Sequence, residues 1–129
     1  MNDSVNWMYV DHDYHGTRYS GLRGIDTTNV NRLARICVHT FPEKEPAQTA
    51  PLAYDGVIYA TTAHYTVALD GPTCKVIWQH KWEPRAKETL NTQRGAAIKY
   101  GKVVRGTADG YLLALDADKA TAENRNGMF

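Results

Sequence analysis

The chain has 129 residues, 43% of them hydrophobic and 22% charged, which is the balance of an ordinary globular domain and not of a disordered one. Lys and Arg number 15 against 14 Asp and Glu, for a net charge of +1, so it lacks the basic stripe that a dedicated nucleic-acid binder needs to displace phosphate counterions. Apolar runs such as Val57-Ile58-Tyr59-Ala60 and Leu112-Leu113-Ala114-Leu115 are four residues long, against the roughly 20 of a membrane-spanning helix.

Met1 to Asn6 carry neither positive charge nor an apolar core, so no secretory signal is expected there. The protein is expected either to stay in the cytoplasm or to take its signal from outside this sequence. Asp11-His12-Asp13-Tyr14-His15 places two histidines three apart, but no distant Cys or His stands at ligand spacing. It reads as a polar turn and not as a metal site. One helical turn is expected near Asp26 to Leu33, with Asp26 as cap and Val30 and Leu33 on one face. Two cysteines, Cys37 and Cys74, are far too few for a disulfide scaffold. The plainer reading is two separate buried thiols; the alternative is a single bond stapling two strands.

An internal repeat follows. Asp55-Gly56-Val57-Ile58-Tyr59-Ala60-Thr61-Thr62 continues to Val67-Ala68-Leu69-Asp70, and Tyr100-Gly101-Lys102-Val103-Val104-Arg105-Gly106-Thr107 continues to Leu113-Ala114-Leu115-Asp116. The glycines stand 45 positions apart and the aspartates 46. Each copy predicts a β-hairpin, with Gly supplying a positive φ at the turn and alternation marking half-buried strands. A short run precedes each hairpin, 51–54 and 96–99, and a further strand follows the first at 76–80. His64-Tyr65 falls at the hairpin turn and reads as turn residues. Lys81 to Glu88 reads as a charged, solvated connection with Trp82 folded back for packing. No nucleotide-binding glycine loop or nucleophile elbow is present.

Four short strands per repeat of about 40–50 residues is the pattern of a β-propeller blade. The expected fold is all-β: about two four-stranded blades, the second incomplete. The expected organisation is an N-terminal segment with first strands over 1–45, a blade over 46–90, an incomplete repeat over 91–120 and a ragged tail over 121–129. Closing a propeller takes roughly four to eight blades. Two blades leave a face and strand edges uncovered, so self-association or a place in a longer chain is expected.

Ala68-Leu69-Asp70-Gly71-Pro72-Thr73-Cys74-Lys75-Val76-Ile77-Trp78 resembles the tryptophan-docking motif Ala-x-Asp-x-x-Thr-Gly-Lys-x-x-Trp of quinoprotein dehydrogenase propellers, with Cys74 in place of Gly. The second copy begins as Ala114-Leu115-Asp116 and then departs from it. Trp7, Tyr14, Gly16-Thr17-Arg18-Tyr19-Ser20, Leu22, Ile25, Asn29-Val30 and Leu33 are similar to the opening segment of pyrroloquinoline quinone (PQQ)-dependent alcohol dehydrogenases. Gln48-Thr49-Ala50-Pro51-Leu52 and Arg94-Gly95-Ala96-Ala97 follow in the family's order. The resemblance spans about residues 5–119 and covers the first part of a propeller of about eight blades.

That resemblance implies a dehydrogenase passing hydride from an alcohol or sugar to bound PQQ. It implies a calcium or lanthanide ion, a cytochrome c or membrane quinone as acceptor, and a periplasmic location. It implies two cofactor contacts: Arg94, paired with a cofactor carboxylate, and Gln48, where many members place Glu. Glu88 and Thr89 stand where many members carry two adjacent cysteines, so the family's vicinal disulfide is absent. No residue matches the metal ligands or the catalytic Asp, so the chain alone is expected to be inactive. The alternative is a non-enzymatic scaffold of similar repeats, such as an outer-membrane assembly factor.

Overall fold

A computed structural model describes residues 5–119. The tail at 121–129 and the first four residues lie outside the described residues. Among the described residues nine strands form in chain order: β1 Ala47–Ala50, β2 Leu52–Tyr54, β3 Val57–Thr61, β4 Tyr65–Asp70, β5 Val76–Lys81, β6 Gln93–Gly95, β7 Ala97–Lys99, β8 Lys102–Gly106 and β9 Leu112–Asp116. They build an antiparallel four-stranded sheet β2-β3-β4-β5, a three-stranded sheet β7-β8-β9 and a parallel pair β1-β6. This is the partial all-β propeller that the repeat predicts.

Both repeat glycines do what their positions demand. Asp55 and Gly56, with φ of 48° and 76°, join the paired residues Tyr54 and Val57. Tyr100 and Gly101, at 51° and 71°, join Lys99 to Lys102. Two consecutive positive φ values at a two-residue turn suit the right-handed twist of the flanking strands. The copies then close alike: Gly71 N–H donates to the Gly56 carbonyl and Ala117 N–H to the Gly101 carbonyl, each at 2.9 Å.

The main core lies between the two larger sheets. On β3 the buried residues are Tyr59 and Thr61, the third and fifth after the turn glycine. On β8 they are Val103 and Arg105, the second and fourth. The copies therefore bury opposite faces, each turned toward the other, and Tyr59, Val103, Leu113 and Leu115 share one apolar cluster.

Trp78 makes the joint. Asp70 accepts hydrogen bonds from the Thr73 N–H at 3.0 Å and from its hydroxyl, which folds the chain back before β5. The Trp78 indole then reaches the second sheet, donating to the Ala117 carbonyl at 2.6 Å, with Tyr59 packed at 6.0 Å. Trp78→Phe keeps a ring but leaves that buried carbonyl unpaired, and is expected to cost about 1–2 kcal/mol in urea unfolding. An unchanged unfolding midpoint would show that packing alone docks the sheets.

Cys37 and Cys74 form a disulfide, with Cα atoms 5.8 Å apart, which overturns the reading of two separate thiols. Cys74 has φ of 55°, the left-handed conformation that explains why the docking motif ordinarily carries Gly there. Counting cysteines treats each alone; what pairs these two is a turn conformation next to an extended segment, invisible to composition.

Before Ala47 the described residues form no strand, only an isolated bridge of Trp7 to Ala53 against β2. Asp11 to Thr17 is the expected polar turn, with the Asp13 carboxylate accepting from the N–H groups of His15 and Thr17 and from the Thr17 hydroxyl. The helical turn is a 3₁₀ turn, Val30–Arg32, capped at Asn29 and not at Asp26, whose carbonyl accepts from Val30 N–H at 3.0 Å. Val30 and Leu33 are both exposed, because no described element covers the turn. Trp82 folds back as expected, donating to Asp109 at 2.9 Å with the Arg85 guanidinium 4.9 Å from its ring.

Candidate functional site

Gln48 lies in β1 and Arg94 in β6, strands that precede equivalent parts of successive repeats and so run in the same direction. Ala47 pairs with Gln93 and Ala50 with Gly95, with a register shift between them, so Gln48 and Thr49 of β1 together lie across from Arg94 of β6. Gln48 and Arg94 are both exposed, and among the described residues neither side chain has a hydrogen-bond or ionic partner.

The backbone around them is closely specified. Gly95 has φ of 132°, and a Cβ there would stand 3.2 Å from the Ala50 carbonyl oxygen, so only Gly lets β6 approach β1. The Gln93 side chain accepts from Arg94 N–H at 2.9 Å and donates to the Gly106 carbonyl, anchoring β6 to the end of β8. Thr49 and Thr61 share a hydrogen bond of 2.8 Å that anchors β1 to β3.

A guanidinium offers a planar fork of donors to a carboxylate, and an amide offers both a donor and an acceptor. An unpartnered pair of this kind fits a flat, polycarboxylated ligand. An apolar hollow of about 490 Å³ beside β2, lined by Trp7, Val10, Pro51 and Ile58 among others, offers no charged group to such a ligand.

A second polar cluster escaped the sequence reading. His64, in the turn between β3 and β4, is held between two carboxylates: its Nδ1 meets Glu45, and its Nε2 lies 2.9 and 3.1 Å from the two oxygens of Glu88. Burial pushes the imidazole pKa down, but the hydrogen bonds to Glu88 and Glu45 outweigh it and hold the ring above its ordinary 6.5. Burial pushes Glu45 up, and hydrogen bonds from Thr62 and His64 outweigh that and hold it below its ordinary 4.5. Glu43 stands beside them, bonded to Tyr65 at 3.2 Å and to Lys81 at 2.9 Å.

Glu43, Glu45 and His64 present ligand atoms within 4.8 Å of one another. A ring that donates at both nitrogens has no lone pair left for a metal. The only sequence hint was Glu88 itself, standing where the family has cysteine. His12 and His15 join no metal-competent group among the described residues.

A blade repeated after about 45 residues, with a tryptophan of the first copy docked on the second, is the architecture of a quinoprotein-type propeller. Residues 7–127 match the family described as the glucose/ethanol/alcohol dehydrogenase β-propeller domain with PQQ, and the chain belongs to that family. It is similar to the dehydrogenase subunit of the quinone alcohol dehydrogenase of Acetobacter aceti, 35% identical over 120 residues that cover 87% of this chain and 16% of that protein. It is also similar to the 1-butanol dehydrogenase (cytochrome c) of Thauera butanivorans, 34% identical over 86% of this chain and 17% of that one. Among solved structures, the quinohemoprotein alcohol dehydrogenase ADHIIG of Pseudomonas putida superposes with a TM-score of 0.83 at 29% identity, covering 92% of this chain and 18% of its own. The chain thus spans about a sixth of the length of the relatives it matches.

Proposed function

We propose that this chain contributes the opening blades and one edge of the cofactor site of a PQQ-dependent dehydrogenase that oxidises alcohols or sugars. The observation that supports the reading is the parallel pairing of β1 and β6, which brings Gln48 and Arg94, two groups without a partner among the described residues, onto neighbouring strands. Arg94 binds a carboxylate of the cofactor, and Gln48 hydrogen-bonds its rim without adding charge. When bound, the quinone supplies the two-electron acceptor for hydride from the substrate carbon. The residues here bind and orient it. A calcium or lanthanide ion and the base that removes the alcohol proton belong to parts of the enzyme beyond these blades.

The names of the relatives support a cytochrome c or a quinone as electron acceptor. The Cys37–Cys74 bond supports an oxidising compartment, as in the periplasm. The remaining blades, or a second copy of this chain, cover the open faces of the two sheets.

Titration of PQQ into the chain, followed by fluorescence quenching, tests the site. Binding should weaken with salt, and Arg94→Ala should weaken it about tenfold or more through loss of a charge-assisted hydrogen bond. Uptake that ignores Arg94→Ala would overturn the assignment of this edge. If the whole enzyme, supplied with PQQ and calcium, oxidises no alcohol or sugar with an artificial dye, the dehydrogenase reading fails and the scaffold alternative takes its place.

A further inference from the structure

We propose that His64, clasped between Glu45 and Glu88, is a positioning residue that ties together the segments leading into β1 and β6 and so holds Gln48 and Arg94 in place on neighbouring strands. The cofactor part of this inference rests on the function proposed above; the clasp rests on geometry. Glu45 lies three residues before Gln48, and Glu88 six before Arg94. His64 joins them from the β3–β4 turn, and its backbone takes part: its N–H donates to Glu45 at 3.2 Å and its carbonyl accepts from Trp82 N–H at 2.8 Å. Glu88 lies within the irregular connection 82–92, five positions before β6, and β6 is three residues long with β1 as its one strand partner among the described residues. So short a strand needs a tether close to its start.

Carboxylates only accept hydrogen bonds, so a ring engaged by one at each nitrogen must carry protons on both. Loss of one proton turns one of those bonds into a clash of lone pairs, and one carboxylate lets go. The other titratable and charged groups near the clasp are Glu43, with Tyr65 and Lys81 bonded to it, and Arg105, which feels the charge of Glu45. The imidazolium arm is fully present below pH 6.5 and is lost as pH rises through the raised pKa of His64. The Glu45 arm is present above pH 4.5 and is lost as pH falls through its lowered pKa. The clasp is whole only between these limits.

Amide hydrogen exchange over residues 85–95 of the chain, corrected for the intrinsic effect of pH, provides the test, with PQQ titration run on the same samples. In the wild type, protection is expected to fall about tenfold as pH rises through the imidazole transition, with PQQ affinity falling alongside. His64→Gln should expose the segment at every pH. Glu88→Gln, which leaves the turn intact, should move the loss to lower pH because the imidazolium loses a charged partner. Protection that is flat with pH in the wild type, or unmoved in both variants, overturns the clasp. Full PQQ affinity in a chain whose β6 has been released overturns its positioning role. If no chain takes up PQQ while exchange still switches, the cofactor reading falls and the hold of the clasp on β6 stands.

Discussion

Reducing the Cys37–Cys74 bond is expected to lower the unfolding free energy of the chain by about 4 kcal/mol, the loop-closure value for a bridge of this span. The chain around Cys37, from 33 to 46, has no helix or strand, and Ile36 and Val38 are exposed, so its docking onto the blade relies heavily on the bond. The two cysteines should not be equivalent when substituted. Cys74 sits at φ of 55°, where a side chain costs roughly 1–2 kcal/mol that glycine does not pay. Cys37→Ala and Cys74→Ala should each lose the full contribution of the bond, whereas Cys74→Gly should lose about 1 kcal/mol less. Urea unfolding with and without dithiothreitol reads all of this, and reductant should have no effect on any of the three variants. Equal midpoints for Cys74→Ala and Cys74→Gly would show that the left-handed conformation carries no cost here.

The repeat was legible because its determinants are local. Asp55-Gly56 and Gly101 fix turns through φ, and the docking motif folds Asp70 onto Thr73 within a single turn. The pairing of β1 with β6 was not legible from periodicity. Each strand has only three or four residues, and the partners stand some 45 positions apart. Gln48 and Arg94 were singled out through the family's motifs alone, and the structure places them on paired strands. His64 read correctly as a turn residue, but its partners lie 19 and 24 positions away, a separation that no local pattern reports. Arg105 is the opposite case. It alternates with Val103 on β8, so strand periodicity places it on the buried face, and only its charge argued against that.

Replacing Arg105 is expected to be the most damaging single change in the joint between the blades. The residue is 1% exposed, and its guanidinium crosses from β8 to the other sheet. It donates to the Tyr65 carbonyl at 2.7 Å, to the Thr66 hydroxyl at 3.2 Å and to the Ala63 carbonyl. Arg105→Met keeps most of the volume but leaves these buried acceptors without donors, for an expected loss of about 3–5 kcal/mol. Arg105→Lys keeps the charge but not the fork, and should fall between that variant and the wild type. Burial pushes the guanidinium pKa down to about 10, so the group stays charged through neutral pH and the loss should be the same at pH 6 and pH 8. The loss caused by His64→Gln should instead shrink as pH rises, since the wild-type clasp is then already releasing. The two sites are also linked. Ala63 and Tyr65, whose carbonyls Arg105 holds, flank His64, so one blade supports the turn from which the other blade clasps β1 and β6. A double-mutant cycle of Arg105→Lys with His64→Gln should therefore show a coupling of roughly 0.5–3 kcal/mol at pH 6, diminishing at pH 8. Additive losses at both pH values would mean that the joint and the clasp act independently.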